Sequence, residues 1–172
     1  MKKLSLIFYY LILIKLPHST VPIVGIPIER LKEYFGKKIF KFCGSNVNIG
    51  KGARFGDGKN LVIGNNSGIG LNCKVPNNLI IGEDVMMGPN VIIFGSNHNF
   101  ERTDIPMRLQ GMKTYNPVII EDDVWIGSNT IIMPGLKIKK GTIIGAGSIV
   151  TKEFPEFSIV AGNPAKLIKS RK

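Results

Sequence analysis

The sequence is poor in the residues from which metal and disulfide sites are built. Its 172 residues include two histidines, two cysteines and one tryptophan. Neither His18 nor His98 has an acidic or thiol side chain at ligand spacing, so the sequence predicts no metal site. Cys43 and Cys73 fall at positions of a repeat, described below, where a small buried side chain is wanted. They are therefore predicted to be core thiols in a reducing compartment.

Acidic residues are also scarce, with 12 against 23 basic residues and a net charge of +11. The excess lies at the two ends, because residues 1–45 and 137–172 each hold eight basic and two acidic residues, while the middle is near neutral. Basic ends suit a phosphorylated ligand, an anionic membrane or nucleic acid. No basic stretch interleaved with aromatics and no helix-turn-helix pattern is present, so no nucleic-acid partner is predicted.

Long hydrophobic runs are absent, and the longest, residues 4–14, is too short to cross a bilayer as a helix. The run follows two lysines like a signal peptide, yet no cleavage site of small residues follows it. Two interpretations stay open: a helix packed on the solenoid or a neighbouring subunit, and peripheral membrane contact through residues 1–16. The predicted location is cytoplasmic, with contact at the inner membrane face left open.

The remainder of the N-terminal segment, residues 1–42, is predicted to cap the fold. Pro22 and Pro27 indicate an extended connector. After them, apolar residues recur at helical spacing, with lysines including Lys32 on the other faces. The apolar positions are Ile28, Leu31, Phe35, Ile39 and Phe42.

A six-residue repeat fills residues 43–155, with an aliphatic residue at position one and often glycine at position two. Such hexads predict a solenoid of very short strands, about five coils at three hexads per coil. Glycine and asparagine residues that recur with the same six-residue period can adopt the positive φ that the corners of the coil require. Position one is held by Cys43, Ile49, Phe55, Ile63, Ile69, Val75, Ile81, Met87, Ile93, Ile120, Ile126, Ile132, Ile138, Ile144 and Val150.

The repeat is interrupted twice. Two extra residues near Gly58 predict a small outward bulge, and residues 97–116 predict a loop extruded from the solenoid. Beyond the repeat, residues 156–172 form a basic tail in which Pro164 predicts the first turn of a short helix.

The extruded loop carries the candidate chemistry. His98 stands at its start, and a neutral imidazole beside a rigid wall can act as a general base. Glu101 and Asp104 are candidates to orient that imidazole, although loop carboxylates are usually solvated. Arg108, Gln110 and Tyr115 either meet an acceptor or brace the loop.

These features resemble the hexapeptide-repeat acyltransferases, whose fold is a left-handed parallel β-helix, and within them the maltose, galactoside and capsular-polysaccharide O-acetyltransferase group. The resemblance covers residues 43–168. It is carried by Asn97 and His98, the stretch 123–128 (DVWIGS), Pro134 and Gly135, the stretch 145–152 (GAGSIVTK), and 161–165 (AGNPA).

The resemblance implies a homotrimer with sites between subunits, and direct transfer from acetyl-CoA to an acceptor hydroxyl. It makes His98 the catalytic base. The implied cofactor contacts are Trp125, Ser128, Ala146, Thr151, Lys152, Lys166 and Lys169. The implied acceptor contacts are Asn72, Asn97 and Arg108, although Gly70 aligns as well as Asn72 with the acceptor-binding asparagine of some members. No metal is implied.

The resulting hypothesis is an O-acetyltransferase that acts on a sugar hydroxyl of a cell-surface polysaccharide or its precursor. The alternatives are N-acetylation of an amino sugar, acetylation of a small molecule such as serine or a xenobiotic, and a non-catalytic scaffold with basic ends. A zinc enzyme on the same fold is disfavoured, because it needs three histidines per site and the repeat region holds only His98.

Overall fold

The computed structural model describes residues 2–17 and 21–172, so His18 lies outside the described residues. Two α-helices, α1 (Lys2–Leu11) and α2 (Gly25–Ile39), precede the strands, and 3-10 turns span Leu13–Lys15 and Met107–Leu109. The strands are β1 Phe42–Cys43, β2 Asn48–Ile49, β3 Val62–Ile63, β4 Gly68–Ile69, β5 Ile80–Ile81, β6 Met86–Met87, β7 Ile92–Ile93, β8 Ser96–His98, β9 Met112–Thr114, β10 Ile119–Ile120, β11 Trp125–Ile126, β12 Ile131–Ile132, β13 Lys137–Ile138, β14 Ile143–Ile144, β15 Ile149–Val150, β16 Ser158–Gly162 and β17 Ala165–Ser170.

The short strands stack in parallel into a three-sided solenoid. Face 1 is β1, β3, β5, β10 and β13; face 2 is β2, β4, β6, β11, β14 and β16; face 3 is β7, β12 and β15, extended by single bridges at Arg54 and Lys74. In each two-residue strand the second residue points inward, so position one of the hexad forms the core. The repeat therefore predicts the core register correctly.

Asparagine and aspartate turn the corners. Asn46, Asn66 and Asp84 stack on successive coils at the corner between faces 1 and 2, with φ between 53° and 58°. Asn46 donates to Asn66 over 3.1 Å, and Asn66 donates to Asp84 over 3.0 Å. These side chains combine tolerance of the left-handed region with hydrogen bonds between coils.

Helix α2 covers the open end of the first coil, but its orientation differs from the prediction. Leu31 is 40% exposed, whereas Lys32 is 1% exposed. Gly36 lets the helix approach the solenoid, since a Cβ there would lie 3.1 Å from Cδ1 of Ile49. This contact turns Lys32 inward. Pro27 lies in the first turn of α2 and not in an extended connector.

Helix α1 packs on the first coil through tyrosines. The Tyr9 hydroxyl donates to the carbonyl of Ala53, and the Tyr10 hydroxyl donates to that of Gly56, both over 2.8 Å. The predicted bulge also faces this cap, because Gly58 is buried against Ile39 and Phe40 and does not project outward. Among the described residues, no helix has the length and apolar character needed to span a bilayer.

The prediction of a C-terminal helix that begins at Pro164 is wrong. Strand β16 continues face 2 into a partial sixth turn by pairing in parallel with β14, and β17 returns antiparallel to it. Pro164 lies in the turn between them, after a cis peptide bond. The hairpin forms because one edge of β16 would otherwise be unpaired, and β17 pairs with that edge. The six-residue repeat does not show in the sequence that such an edge exists.

Candidate active site

His98 lies on a two-stranded arm that leaves the solenoid after face 3. Strand β8 pairs antiparallel with β9, and His98 lies opposite Met112. The segment predicted as a loop thus has its own hydrogen-bonded frame. Asn97 and His98 are both exposed, and the Asn97 side-chain oxygen accepts a hydrogen bond from the His98 backbone N–H over 3.1 Å.

The polar residues beyond β8 brace the arm. Glu101 forms an ion pair with Lys113 at 3.0 Å, and Asp104 pairs with Arg102. Both carboxylates are therefore engaged with cations of the arm, which agrees with the alternative that they do not orient His98.

Two further loop candidates also brace it. The Gln110 amide donates to the carbonyl of Arg102 over 2.7 Å, and Tyr115 packs against Gly135 at the solenoid wall. Arg108 is exposed in the 3-10 turn, and it forms no ion pair with any residue that the structure describes.

Trp125 lies in the outward row of face 2. It pairs with Met86 on one side and with Ile143 on the other, and its side chain is 50% exposed. The row continues through Ile159 to Lys169, which lies opposite Ile159 on β17. Three strand spacings of about 4.8 Å place Lys169 about 14 Å along the face from Trp125.

Lys166 lies beside Lys169 on β17, opposite Ala161, and both lysines are exposed. Arg171, in contrast, donates to Asp123 over 3.0 Å and to the carbonyl of Gly141 over 2.7 Å. The two lysines are therefore available to an anion at the end of the tryptophan row, whereas Arg171 holds the tail to the solenoid.

Ser128 and Ala146 stack at the corner between faces 2 and 3, three residues after Trp125 and Ile143 in their coils. The wall beside them has no room for side chains: a Cβ on Gly127 would lie 2.5 Å from the Ala146 nitrogen, and one on Gly88 would lie 2.8 Å from the Ser128 nitrogen. These glycines are required by the approach of neighbouring coils, and they leave a smooth surface of backbone atoms beside the tryptophan row.

Thr151 and Lys152 do not join this surface. They follow β15 at the corner between faces 3 and 1, the corner from which the His98 arm also leaves. In a three-sided solenoid that corner lies opposite face 2. One copy of the chain therefore presents two separate surfaces: an arm surface with His98, Thr151 and Lys152, and a face-2 surface with Trp125, Ser128, Ala146, Lys166 and Lys169.

A groove of about 600 Å³ extends the face-2 surface toward the first coils. It is bounded by Glu29 of α2 and by the outward residues Asn48, Gly68 and Met86, the last of which neighbours Trp125. Gly70 also lines this groove, whereas Asn72 lines a separate cleft. Glu29 and Asn48 were missed in the sequence because nothing in the hexad distinguishes an outward asparagine, and because Glu29 approaches face 2 only through the docking of α2.

The face-2 surface lies partly within a stretch that matches a known family model. Residues 117–152 match the model described as bacterial transferase hexapeptide, six repeats. The match covers the coils that run from β10 to β15. A maltose O-acetyltransferase from Clostridium difficile 630 is similar over 99% of this chain and 86% of its own, with 28% identity and a TM-score of 0.78. A galactoside acetyltransferase solved in complex with coenzyme A is similar over 99% of this chain and 82% of its own, with 28% identity and a TM-score of 0.77.

The predicted fold, the left-handed parallel β-helix of the hexapeptide-repeat acetyltransferases, is thereby confirmed. A provisionally named acetyltransferase of Saccharomyces cerevisiae is 44% identical over 85 residues, which are 49% of this chain and 42% of the relative. The chain therefore matches less than half the length of that curated relative.

Within residues 2–17 and 21–172, no group of three or more histidine, cysteine, aspartate or glutamate side chains is placed to hold a metal ion.

Proposed function

We propose that this chain is an acetyl-CoA-dependent O-acetyltransferase that modifies a sugar hydroxyl of a cell-surface polysaccharide or its precursor. The observation that carries the proposal is the face-2 surface, where Trp125 lies beside a corner walled by backbone atoms, Lys169 ends the same row, and Lys166 is exposed on the same strand. The similarity to a maltose and a galactoside acetyltransferase over 99% of the chain supports it.

The face-2 surface suits the parts of acetyl-CoA. The glycine-walled corner at Ser128 and Ala146 allows the slender pantetheine arm to lie close to the coils. Lys166 and Lys169 place positive charge where the phosphates of the nucleotide end would lie. Lysine acts there as a point charge and cannot form the paired hydrogen bonds that an arginine guanidinium donates to phosphate. Trp125 would then flank the thioester end.

In the proposed reaction, His98 takes the proton from the acceptor hydroxyl while the hydroxyl oxygen attacks the thioester carbonyl carbon. The new carbon–oxygen bond forms, and the carbon–sulfur bond breaks as the tetrahedral intermediate collapses. The imidazolium returns its proton to the departing thiolate. The products are the acetyl ester and coenzyme A with a free thiol.

We further propose that each site forms between two copies of the chain, because the arm surface and the face-2 surface point away from each other in one copy. Joining unlike surfaces gives a head-to-tail contact, which closes as a ring. The resemblance described above supports a ring of three. Thr151 and Lys152 of one copy would then complete the cofactor groove on the face-2 surface of its neighbour.

The acceptor in this proposal occupies the groove lined by Glu29, Asn48 and Gly68, next to Met86 and Trp125. The Asn48 amide and the Glu29 carboxylate can hydrogen-bond to sugar hydroxyls. Asn97 and Arg108 would approach the same groove from the neighbouring arm. Asn72 is set aside as an acceptor contact, because it does not line the groove.

The test is release of coenzyme A thiol with a panel of oligosaccharide acceptors. His98→Ala is expected to abolish release while leaving acetyl-CoA affinity within about twofold, because the imidazole acts on the acceptor proton. Met112→Ala, which removes the exposed cross-strand neighbour of His98, is the matched control and should stay active. Full activity of the His98→Ala enzyme would refute the proposal.

The shared site has its own test. His98→Ala and Trp125→Ala chains, each inactive alone, are mixed, unfolded and refolded together. About a quarter of the sites in a mixed ring should then combine an intact arm with an intact face 2. Recovery of no activity would contradict a site built from two copies.

The same assays separate the alternatives. Amino-sugar, serine and xenobiotic acceptors that release thiol when oligosaccharides do not would indicate one of the other acetyl acceptors. A scaffold with basic ends predicts no acetyl-CoA binding at millimolar concentration.

Peripheral membrane contact is a separate part of the proposal. Helix α1 leaves Leu4, Ile7 and Leu11 exposed, and Lys2 and Lys3 adjoin them. An apolar face flanked by lysines suits an anionic bilayer surface. Co-sedimentation with anionic vesicles should fall when Leu4 and Ile7 are replaced by serine, and equal sedimentation would contradict membrane contact.

A further inference from the structure

A second cavity, of about 740 Å³, lies between the N-terminal segment and the first two coils. It opens at the corner between faces 2 and 3, around the corner from the groove assigned to the acceptor. Its polar lining comes from Tyr10, Lys15, Lys51, Arg54, Asn72 and Lys74. We call it the basic cleft, because four of these six side chains are cations and none is acidic.

The four cations of the basic cleft are not neutralised by the protein. Within the described ranges 2–17 and 21–172, the ion pairs are Lys37 with Glu33, Arg102 with Asp104, Lys113 with Glu101, Lys137 with Glu121 and Arg171 with Asp123. All of these pairs lie elsewhere. The cleft therefore gathers positive charge from three separate parts of the chain, and none of its four cations forms an ion pair within the described ranges.

Two of the cations are direct neighbours across coils. Arg54 and Lys74 form a parallel β-bridge, and Lys74 in turn bridges to Ile92. Like charges opposite each other on adjacent strands repel and destabilise a sheet. The outward positions of Arg54 and Lys74 do not require charged side chains for folding. Their mutual repulsion therefore indicates that the charges serve a purpose other than stability.

The basic cleft is preformed. The Gly52 backbone N–H donates to the Ile14 carbonyl over 2.8 Å and ties the N-terminal segment to the first coil. Tyr10 forms part of the cleft wall and is held at two points, since its hydroxyl accepts from the Phe55 N–H over 3.2 Å and donates to Gly56. A ligand would therefore meet a wall that is already formed, on which the four cations are exposed.

Positive potential also extends behind the cleft. Lys32 is buried, and its ammonium donates to the carbonyl of Leu16 over 3.2 Å. Burial, opposed by the charge of Glu29 and assisted by that of Lys51, lowers the pKa of Lys32 to about 8. An anion in the cleft would relieve this repulsion.

We propose that the basic cleft, built from Lys15, Lys51, Arg54 and Lys74, is a binding site for a diphosphate group. Four clustered cations exceed what one carboxylate can neutralise, whereas a diphosphate carries several negative charges on oxygens spread over a few ångströms. Lysine and arginine are the side chains that recognise phosphate oxygens. The site is distinct from the cofactor surface, because Lys166 and Lys169 lie at the opposite end of the solenoid.

The test is calorimetric titration of the full chain with inorganic pyrophosphate, orthophosphate and acetate at two salt concentrations. Pyrophosphate should bind more tightly than orthophosphate or acetate, and more weakly at high salt than at low salt. Lys51→Gln combined with Arg54→Gln should weaken pyrophosphate binding about tenfold or more. Lys41→Gln combined with Lys59→Gln removes the same charge outside the cleft and should leave the affinity unchanged.

The two sources of a diphosphate are distinguished by a nucleoside-diphosphate sugar and a short prenyl diphosphate, each competing against pyrophosphate. Whichever binds more tightly identifies a soluble nucleotide or a lipid carrier, and equal binding means that the cleft recognises the diphosphate alone. The inference is overturned if orthophosphate matches pyrophosphate, if both double variants weaken binding equally, or if coenzyme A displaces pyrophosphate. Loss of acetyl transfer in the His98→Ala enzyme affects none of these outcomes.

Discussion

Replacing Gly127 by alanine tests whether the stacking of coils, and not backbone flexibility, requires the glycines beside the tryptophan row. Gly127 is buried at the corner after β11, and its N–H donates to the carbonyl of Ile144 over 2.8 Å. A Cβ there would lie 2.5 Å from the Ala146 nitrogen and 2.8 Å from both its Cα and the Ile144 oxygen. These are backbone atoms of the next coil, so no side-chain rotation can relieve the contact.

Relief requires the two coils to separate by several tenths of an ångström, against hydrogen bonds on all three faces. Overpacking of a well-packed site costs about 1–3 kcal/mol, and the rigid neighbours here place Gly127→Ala near about 3 kcal/mol. In a domain of this size that loss lowers the melting midpoint by roughly 6–12 °C.

Gly147→Ala is the matched control. It lies at the same corner one coil further on, where a Cβ would meet no atom within 4 Å, but its φ is +70°. Only the cost of a left-handed conformation applies, about 1 kcal/mol or roughly 2–4 °C. Scanning calorimetry at several scan rates measures both variants. A Gly127→Ala protein that melts at or above the Gly147→Ala protein would refute the close-packing argument.

Three further predictions address buried and exposed groups. Lys32→Met should stabilise the fold by at most about 3 kcal/mol near pH 7, because the folded state binds the Lys32 proton less tightly than the unfolded state. Since burial lowers that pKa from 10.5 to about 8, wild-type stability should gain on the variant as pH rises from about 8 to 10.5, and equal pH profiles in urea denaturation would contradict it. Trp125 is the single tryptophan, so acetyl-CoA should shift its emission to shorter wavelength, and Trp125→Phe should weaken binding; an unchanged spectrum at saturation argues against contact. Burial raises the pKa of both Cys43 and Cys73 to about 11, so a thiol reagent at pH 8 should label neither until the protein is unfolded, whereas rapid native labelling would show that the thiols are accessible.

The parts of the fold with a strict period could be predicted from sequence. Each hexad places one aliphatic side chain inward, and this local rule repeats whatever the remote contacts are, so Ile63, Ile81 and Ile120 fall in the core as expected. The corners follow the same rule, because Asn66 and Asp84 adopt positive φ through their own side-chain chemistry.

Elements without a period depended on their partners. The apolar spacing of α2 indicated a helix but not its rotation, which is set by the close approach of Gly36 to Ile49. The C-terminal tail has residues compatible with helix, and the free edge of β16 makes it a strand. Both outcomes are determined by a surface that forms only when the solenoid exists.

The candidate site divides in the same way. Motifs identified His98 and Trp125, because their types and neighbours are distinctive along the chain. Their arrangement is a property of the three-sided coil, in which a residue after face 3 and a residue on face 2 point in opposite directions. The sequence by itself determined the period, the core register and the candidate residues. Only the tertiary structure decided how Glu29 and Asn48 share a groove, how Lys15 joins Arg54 and Lys74, and that the arm surface and the face-2 surface point apart in one copy, because these relations join segments whose separation along the chain carries no local signal.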